Sequence, residues 1–361
     1  MKRLVFLAVV IAATFSCGKE EFSQTCQAPL GDIRALYIEL GHNMWCDWPT
    51  PAMGDNLEAA VKMLPADRIP DLKLKCEDEV WRKVTDHAAE AGINMLVVDL
   101  GEGLQFPSHP ELAIEGSWSV EKMRAEIKRL NGLGIEVIPK LNFSNSHNGW
   151  MKDYRHMVSS APYLKMCEDV IADALEIFGH PRFFHIGFDE EDVYHTNKMA
   201  FQCRRVDEVW WHDFLYIVGI VEKYGARPWA WSDYGWEHPE FYTRCPKSVV
   251  LQNWYYDERN AGFDPETVND HDRSRLMGYV ELDKAGYDQV PCGTNWAGYV
   301  RKREGVGGED VPGRLVKYCR GAITNKEHLY GFMIAPWAIC DSAGLAFQLR
   351  GIDLFREALA Q

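Results

Sequence analysis

Residues 183–190 read Phe-Phe-His-Ile-Gly-Phe-Asp-Glu, an apolar run that passes directly into two adjacent acids. A short apolar segment without alternation is typical of a strand buried on both faces of a parallel sheet. Asp189 and Glu190 then stand at the exit of that strand, where they lose hydration and repel each other. We therefore expect one of the two carboxyls to stay protonated near neutral pH, as a general acid must. The alternative is that these acids only begin a helix, whose first turn favours negative charge.

Similar apolar runs recur along the chain and alternate with amphipathic stretches. The strand candidates are residues 34–40, 94–100, 135–142, 183–188, 228–232, 249–254, 289–296 and 329–337. The helical patterns include residues 79–91, 120–133, 162–178, 207–224 and 314–323. Residues 232–249 leave room for only a short helix, whereas residues 260–284 hold an extra loop as well as a helix. Eight buried strands that alternate with helices predict the α/β class and a (β/α)8 TIM barrel, a single catalytic domain over residues 31–361.

The amino terminus has the pattern of a bacterial export signal. Lys2 and Arg3 precede an apolar run that is too short for a stable membrane span. We predict a signal peptide over residues 1–16, lipid attachment at Cys17 and a polar tether over residues 17–30. The protein would then be a lipid-anchored lipoprotein of the bacterial cell envelope, periplasmic or on the outer-membrane surface. The alternative is cleavage to a free secreted form.

Composition and charge disfavour several classes of function. The chain has 361 residues, of which 47% are hydrophobic and 25% charged, as is usual for a soluble globular protein. Its net charge of −14 argues against nucleic acid as a partner, since no basic stripe exists to neutralise phosphates. Beyond Cys17, nine cysteines remain and form no CxxC pair, so at least one thiol stays unpaired, although some disulfides are possible. The 12 histidines are scattered, and we expect neither a metal nor another cofactor.

Chemistry in a (β/α)8 barrel takes place at the carboxyl ends of the strands. Here those ends carry Glu39, Asp99, Glu102, Asn142, Asp189, Glu190, Asp233, Asn253, Trp254, Asn295, Trp296 and Trp337. Carboxylates and amides bind sugar hydroxyls, and flat aromatic faces cover the apolar side of a pyranose. Trp254, Trp296 and Trp337 are therefore predicted to stack against a glycan, whereas Trp210 and Trp211 lie within a helical pattern and are predicted to pack the core.

The order of these segments resembles glycoside hydrolase family 20, the β-N-acetylhexosaminidases and their relatives. The most specific likeness is the segment 185–190, which resembles the family's His-x-Gly-Gly-Asp-Glu with Phe188 in place of the second glycine. Strands seven and eight diverge from the family. Strand seven offers Asn295-Trp296 where the family has Tyr-x-Asp, and strand eight continues after Trp337 without the family's glutamate.

Weaker likenesses occur on three other strands. Arg34 stands five residues before Glu39 on the first strand, as in the family, and residues 231–233 read Trp-Ser-Asp on the fifth. On the third strand, Asn142 and then His147 follow the position where Lys140 replaces the family's glutamate.

The resemblance implies a role for each matching residue. Glu190 would be the general acid/base, Asp189 would orient and stabilise a substrate acetamido group, and Arg34 would bind sugar hydroxyls. The acetamido oxygen, rather than a protein carboxylate, would attack the anomeric carbon and form an oxazolinium intermediate. The strand-end positions and the matching motifs together predict further substrate-binding residues, namely Glu39, Asp99, Asn142, His147, His185 and Asp233, together with the three tryptophans at strand ends.

Two other functions stay open at this point. The first is an inverting glycosidase on a non-acetylated sugar, in which Glu190 works with a base across the barrel, such as Asp233, Asp99 or Glu102. The second is a surface lipoprotein that binds glycans without cleaving them. His185 has a separate interpretation as the buried partner of a neighbouring acid.

Overall fold

The computed structural model describes residues 22–197, 199–201 and 203–361. The predicted signal peptide, residues 1–16, and the predicted lipid-attachment residue Cys17 lie outside the described residues. In the described part of the chain, no helix is both long enough and apolar enough to cross a membrane.

The described residues form one sheet of eight parallel strands. The strands are β1 Ile33–Glu39, β2 Met95–Asp99, β3 Glu136–Lys140, β4 Phe183–His185, β5 Arg227–Trp231, β6 Val250–Gln252, β7 Cys292–Gly293 and β8 Gly331–Ile334. Their order in the sheet is β6-β5-β4-β3-β2-β1-β8-β7. Single parallel bridges, one between Leu251 and Gln289 and one between Trp254 and Cys292, join the two edges of the sheet. The predicted (β/α)8 barrel is therefore confirmed.

Helices cover the outside of this barrel. They are α1 Leu57–Val61, α2 Asp78–Glu90, α3 Val120–Gly132, α4 Ala161–Ile177, α5 Val193–Thr196, α6 Asp207–Lys223, α7 Phe241–Arg244, α8 Asp270–Ala285, α9 Gly298–Arg303, α10 Val311–Ala322 and α11 Leu345–Leu359. Short 3-10 helices occupy Asn43–Trp45, Pro51–Met53, Gly101–Gly103, Pro110–Leu112, Gly149–Met157 and Asp233–Trp236. The helices predicted over residues 79–91, 120–133, 162–178 and 207–224 are confirmed to within a residue or two at each end.

Burial explains why these strands could be recognised in the sequence. Every residue of β2 is buried, because the sheet is covered outside by helices and inside by barrel side chains. Strand β7 is shorter than the predicted 289–296, and Pro291 lies just before it. A proline has no N–H to donate to a neighbouring strand, so regular pairing begins only at Cys292.

The segment predicted as a flexible tether is docked where the structure describes it. The Gln24 amide donates to the main-chain oxygen of Phe178 (2.9 Å) and accepts from the N–H of Val137 (2.9 Å). The N–H of Ala28 donates to Glu136 Oε2 (2.7 Å) at the start of β3. The prediction of a free tether over residues 17–30 is wrong for this part, because its polar groups bond to the amino end of the barrel.

Cysteines in the described residues are free thiols. They are Cys26, Cys46, Cys76, Cys167, Cys203, Cys245, Cys292, Cys319 and Cys340. The possibility of disulfides among these nine residues is therefore not realised in the structure.

Candidate active site

The chain takes an unusual backbone path as it leaves β4. Gly187 (φ 73°), Phe188 (φ 70°) and Glu190 (φ 55°) all adopt positive φ. A Cβ on Gly187 would lie 2.1 Å from Oδ1 of Asn142, so only glycine fits there. Phe188 occupies the position of the family's second glycine and packs edge-on against Phe214. Left-handed geometry at two non-glycine residues costs about 1–2 kcal/mol each, and such strain is concentrated at functional sites.

Asp189 is held as an ionised carboxylate. Its Oδ1 accepts a hydrogen bond from the Asn142 amide (2.8 Å) and lies 3.8 Å from Nδ1 of His147. Burial raises the pKa of Asp189, but the charges of His147 and Lys140 and the Asn142 bond outweigh it and hold the pKa below its usual value. The Asp189 side chain keeps 12% of its surface exposed, which leaves the carboxylate within reach of a ligand.

The pKa of Glu190 is shifted in the opposite direction. Burial and the neighbouring charges of Asp189, Asp233 and Glu258 raise the pKa of Glu190 well above 4.5. Its Oε2 lies 3.5 Å from Nε2 of His147 and 3.3 Å from Nε2 of His195. One adjacent pair therefore supplies a carboxylic acid that can give a proton and a carboxylate that can stabilise positive charge.

Asp233, at the carboxyl end of β5, lies directly behind this pair. Its Oδ2 accepts the main-chain N–H of Glu190 (2.8 Å). Burial and the charge of Asp189 raise the pKa of Asp233 to about 8. Asp233 is therefore a positioning residue for Glu190 and does not face it across the barrel, as an inverting base would.

Other predicted acids lie at the barrel mouth but already have partners. Asp99 forms a buried ion pair with Lys140 and accepts a hydrogen bond from the Tyr37 hydroxyl (2.9 Å). Glu39 bonds to Nδ1 of His42 (2.7 Å), and Glu102 accepts main-chain N–H groups of His42 and Asn43. These acids form the floor of the site, and neither Asp99 nor Glu102 is an unengaged base.

Two predicted residues lie apart from this cluster. Arg34 is near the start of β1, at the opposite end of the barrel, where it bonds to Asp32 (2.9 Å) and to the main-chain oxygen of Gly92. The structure therefore does not place Arg34 where it can bind sugar at the carboxyl face. His185 is fully buried at the end of β4, and its Nε2 contacts Oε1 of Gln252 (3.0 Å). The expectation that an acid would be its partner is wrong; burial lowers the pKa of His185 to about 3, so the ring is neutral.

The three predicted tryptophans have different surroundings. Trp337 lies at the centre of the mouth, with ring centroids 4.6 Å from Tyr37 and 6.0 Å from Trp45. Trp254 lines the cavity described below and stacks on Tyr256 (4.9 Å). Trp296 lies against Tyr299 of α9 at the outer rim, and the Tyr299 side chain is 83% exposed. Trp210 and Trp211 belong to α6 and are buried in the core, as predicted.

A cavity of about 480 Å³ opens beside Glu190. Its lining includes His195 from α5, Trp254 and Glu258 from the loop after β6, and Arg275 from α8. His195, Glu258 and Arg275 were not predicted from the sequence. The sequence offered one signal for Glu258, since an acidic pair at 257–258 follows three aromatic residues at the end of β6. It offered no signal for Arg275, because that residue lies in the middle of a helix.

Comparison with known proteins gives likenesses in structure only. No protein-family model matches the chain, and no curated protein matches it. A β-N-acetylhexosaminidase from Bacteroides fragilis has a similar structure, with a TM-score of 0.54 and 13% identity over 89% of this chain. This chain covers 65% of the length of that enzyme.

Three further solved structures resemble the barrel. Dispersin B gives a TM-score of 0.51 at 15% identity, over 78% of this chain and 95% of its own. A structure from work on the tandem family 20 modules of the pneumococcal exo-β-D-N-acetylglucosaminidase StrH gives a TM-score of 0.54 at 13% identity, over 91% of this chain and 83% of its own. A family 5 glycoside hydrolase from Prevotella bryantii gives 0.50 at 11% identity, over 92% and 99%. At these identities the likeness establishes the TIM-barrel fold, which the neighbours from both families share.

Proposed function

We propose that this protein is a glycoside hydrolase that cleaves a β-linked hexosaminide or a related glycan. The observation that carries the proposal is the adjacent pair of acids at the end of β4, in which Glu190 lines the cavity and the pKa values of Glu190 and Asp189 are shifted in opposite directions. Glu190 has a raised pKa and acts as general acid and then general base. Two of the structural neighbours are described as a β-N-acetylhexosaminidase and an exo-β-D-N-acetylglucosaminidase, which supports this substrate class.

In this mechanism the acetamido group of the substrate supplies the nucleophile. The acetamido N–H donates to Oδ2 of Asp189, so the carboxylate orients the group and offsets the positive charge of the oxazolinium ion. Asn142 holds Asp189 in place through the 2.8 Å hydrogen bond to Oδ1. Trp337 and Trp254 offer aromatic faces for the apolar side of the sugar.

Turnover of aryl 2-acetamido-2-deoxy-β-hexopyranosides by the wild type and by Glu190→Gln tests the proposal. We expect the variant to fold, because the amide keeps the shape of the acid, and to lose at least a factor of about 100 in kcat. Equal activity in the two proteins would remove Glu190 from the acid role. Glycan binding without turnover by the wild type would support the non-catalytic function instead.

A second candidate is inverting hydrolysis of a non-acetylated sugar. Glu258 favours it, because this carboxyl lines the same cavity as Glu190 and raises the pKa of Glu190 by its charge. A water molecule between the two carboxyls would be the nucleophile, and Glu258 would take its proton. Loss of activity on non-acetylated hexosides in Glu258→Gln, with no activity of the wild type on acetamido hexosides, would favour this candidate.

The proposed location is the bacterial cell envelope. Lipid attachment at Cys17 would hold the barrel at a membrane, and the docked segment around Gln24 would keep the amino end of the barrel close to it. The carboxyl face, with its cavity, would then point away from the lipid surface and toward glycans.

A further inference from the structure

Arg275 occupies an unusual place in the cavity beside Glu190. It lies on α8, and its guanidinium lies over the ring of Trp236 (4.3 Å to the centroid) and near that of Trp254 (5.5 Å). Both Arg275 and Trp254 line the cavity. The two indoles hold the guanidinium plane in one orientation, as a preorganised binding group requires.

Arg275 differs from the other arginines around the cavity in its polar partners. Arg259 pairs with Asp272 (3.1 Å), and Arg301 pairs with Asp257 (2.9 Å). Arg275 instead contacts the ring Nε2 and the main-chain oxygen of His271, and no carboxylate in the described part of the chain lies within 4 Å of it. Burial and the charge of Arg275 lower the pKa of His271 to about 4, so the imidazole accepts a hydrogen bond without supplying negative charge.

Six acids line the cavity: exposed Glu237 forms no ion pair with Arg275, and the other five are not paired with Arg275 either. Asp257 and Asp272 are already paired with arginines, and Asp192 is bonded to His195 (2.8 Å). Burial raises the pKa of both Glu190 and Glu258, the charge of Arg275 lowers that of Glu258, and neither carboxyl lies within 4 Å of the guanidinium. A guanidinium stays protonated under all ordinary conditions, so the cavity contains a fixed cation with no directly bonded anion.

We propose that Arg275 binds an anionic group of the glycan, a carboxylate or a sulfate ester, and so selects acidic substrates. The inference rests on the proposed glycosidase function and names its substrate class. The planar fork of a guanidinium matches the oxygens of either group bidentately, and a charge-assisted pair in a partly buried site is among the stronger polar contacts. A neutral glycan would leave the cation without a partner when it excludes water from the cavity.

Matched substrates test this selectivity. One pair is 4-nitrophenyl N-acetyl-β-glucosaminide and its 6-O-sulfate; the other is N-acetylglucosamine β-linked to glucuronate and the same disaccharide with glucose. We expect wild-type kcat/KM to be at least about 10-fold higher for the anionic member of one pair, and that pair identifies the group as sulfate or carboxylate. In Arg275→Gln, the ratio of kcat/KM for the anionic substrate to kcat/KM for the neutral one should fall close to one. Arg275→Lys should give a ratio between those of the wild type and Arg275→Gln.

Arg273→Gln is the matched control, because Arg273 lies on the same helix but pairs with Asp270 outside the cavity. It should keep the wild-type ratio, and thermal melting of each variant checks that it is folded. A wild-type ratio near one for both pairs, or an unchanged ratio in folded Arg275→Gln, would overturn the inference.

A binding measurement separates this inference from the proposed function. If the wild type hydrolyses none of the four substrates, the proposed hexosaminidase activity fails, and calorimetric titration with the two anionic compounds still tests Arg275. We then expect at least about 10-fold weaker binding by Arg275→Gln than by Arg273→Gln. Equal binding by the two variants, or no binding by either, would refute the role of Arg275.

Discussion

The main-chain N–H of Glu190 donates a 2.8 Å hydrogen bond to Oδ2 of Asp233. This bond connects the end of β4 to the end of β5 and supports Glu190 in its left-handed conformation (φ 55°). It also places a third carboxyl beside Asp189 and Glu190, and the charges of Asp189 and Asp233 both raise the pKa of Glu190.

Removal of this bond should disturb catalysis more than substrate binding. In Asp233→Ala, Glu190 loses the acceptor that fixes its main chain, and we expect kcat to fall at least about 10-fold while KM changes little. Asp233→Asn keeps an oxygen acceptor and should retain most of kcat. Steady-state kinetics on the same aryl glycoside compare the two variants, and equal losses in both would show that the bond does not position Glu190.

The opposite pKa shifts of Asp189 and Glu190 predict a bell-shaped pH dependence. Activity needs Asp189 ionised and Glu190 protonated. Because the pKa of Asp189 lies below its usual value and that of Glu190 well above 4.5, the active range lies between these two values. Asp233, with a pKa of about 8, ionises on the alkaline side of this range, and its charge then raises the pKa of Glu190; Asp233→Asn should therefore shift the alkaline limb of kcat/KM to lower pH. An unchanged alkaline limb would assign it to another group.

Removal of one partner of the Asp99–Lys140 ion pair should be strongly destabilising because both side chains are almost fully buried. Lys140→Met leaves the Asp99 carboxylate buried without its cation, and we expect a loss of about 3–5 kcal/mol in the free energy of unfolding. The control is Lys122→Met, which removes an exposed pair with Asp78 and should cost less than about 1 kcal/mol. Urea denaturation measures both, and equal losses would contradict the argument.

The proposed lipid anchor depends on one sulfur atom. Cys17→Ser should move the protein from the membrane fraction to the soluble fraction of expressing bacteria, because diacylglycerol on Cys17 is the proposed attachment. Cys26→Ser is a suitable control, since Cys26 is a free thiol that the structure describes near the docked segment. Pelleting of the Cys17→Ser protein with membranes would place the anchor elsewhere.

The fold could be predicted from the sequence because burial decides the pattern of each strand. Strands such as β2 are apolar at nearly every position, and turns or glycines end the helices between them. The pair Asp189-Glu190 could be predicted as well, since it follows such a strand directly. The placement of Arg34 could have been anticipated from the same rule, because a residue at the start of a parallel strand lies at the amino end of the barrel.

The rest of the site depends on contacts between distant parts of the chain. Glu258 and Arg275 reach the cavity of Glu190 only after a loop and a helix pack beside β5 and β6. The partner of His185 is Gln252, two strands away, and no local pattern indicates that an amide stands there instead of an acid. The sequence alone therefore does not predict which of these side chains tertiary packing brings together.

The configuration of the first sugar released tests the central claim most directly. Proton NMR during hydrolysis of an aryl 2-acetamido-2-deoxy-β-hexopyranoside shows which anomer forms before mutarotation. We predict that the β-anomer appears first, because the substrate acetamido group acts as the nucleophile. Glu190 is the acid/base in this mechanism, and Asp189 supports the acetamido group. Initial appearance of the α-anomer would contradict the account and favour a direct attack by water.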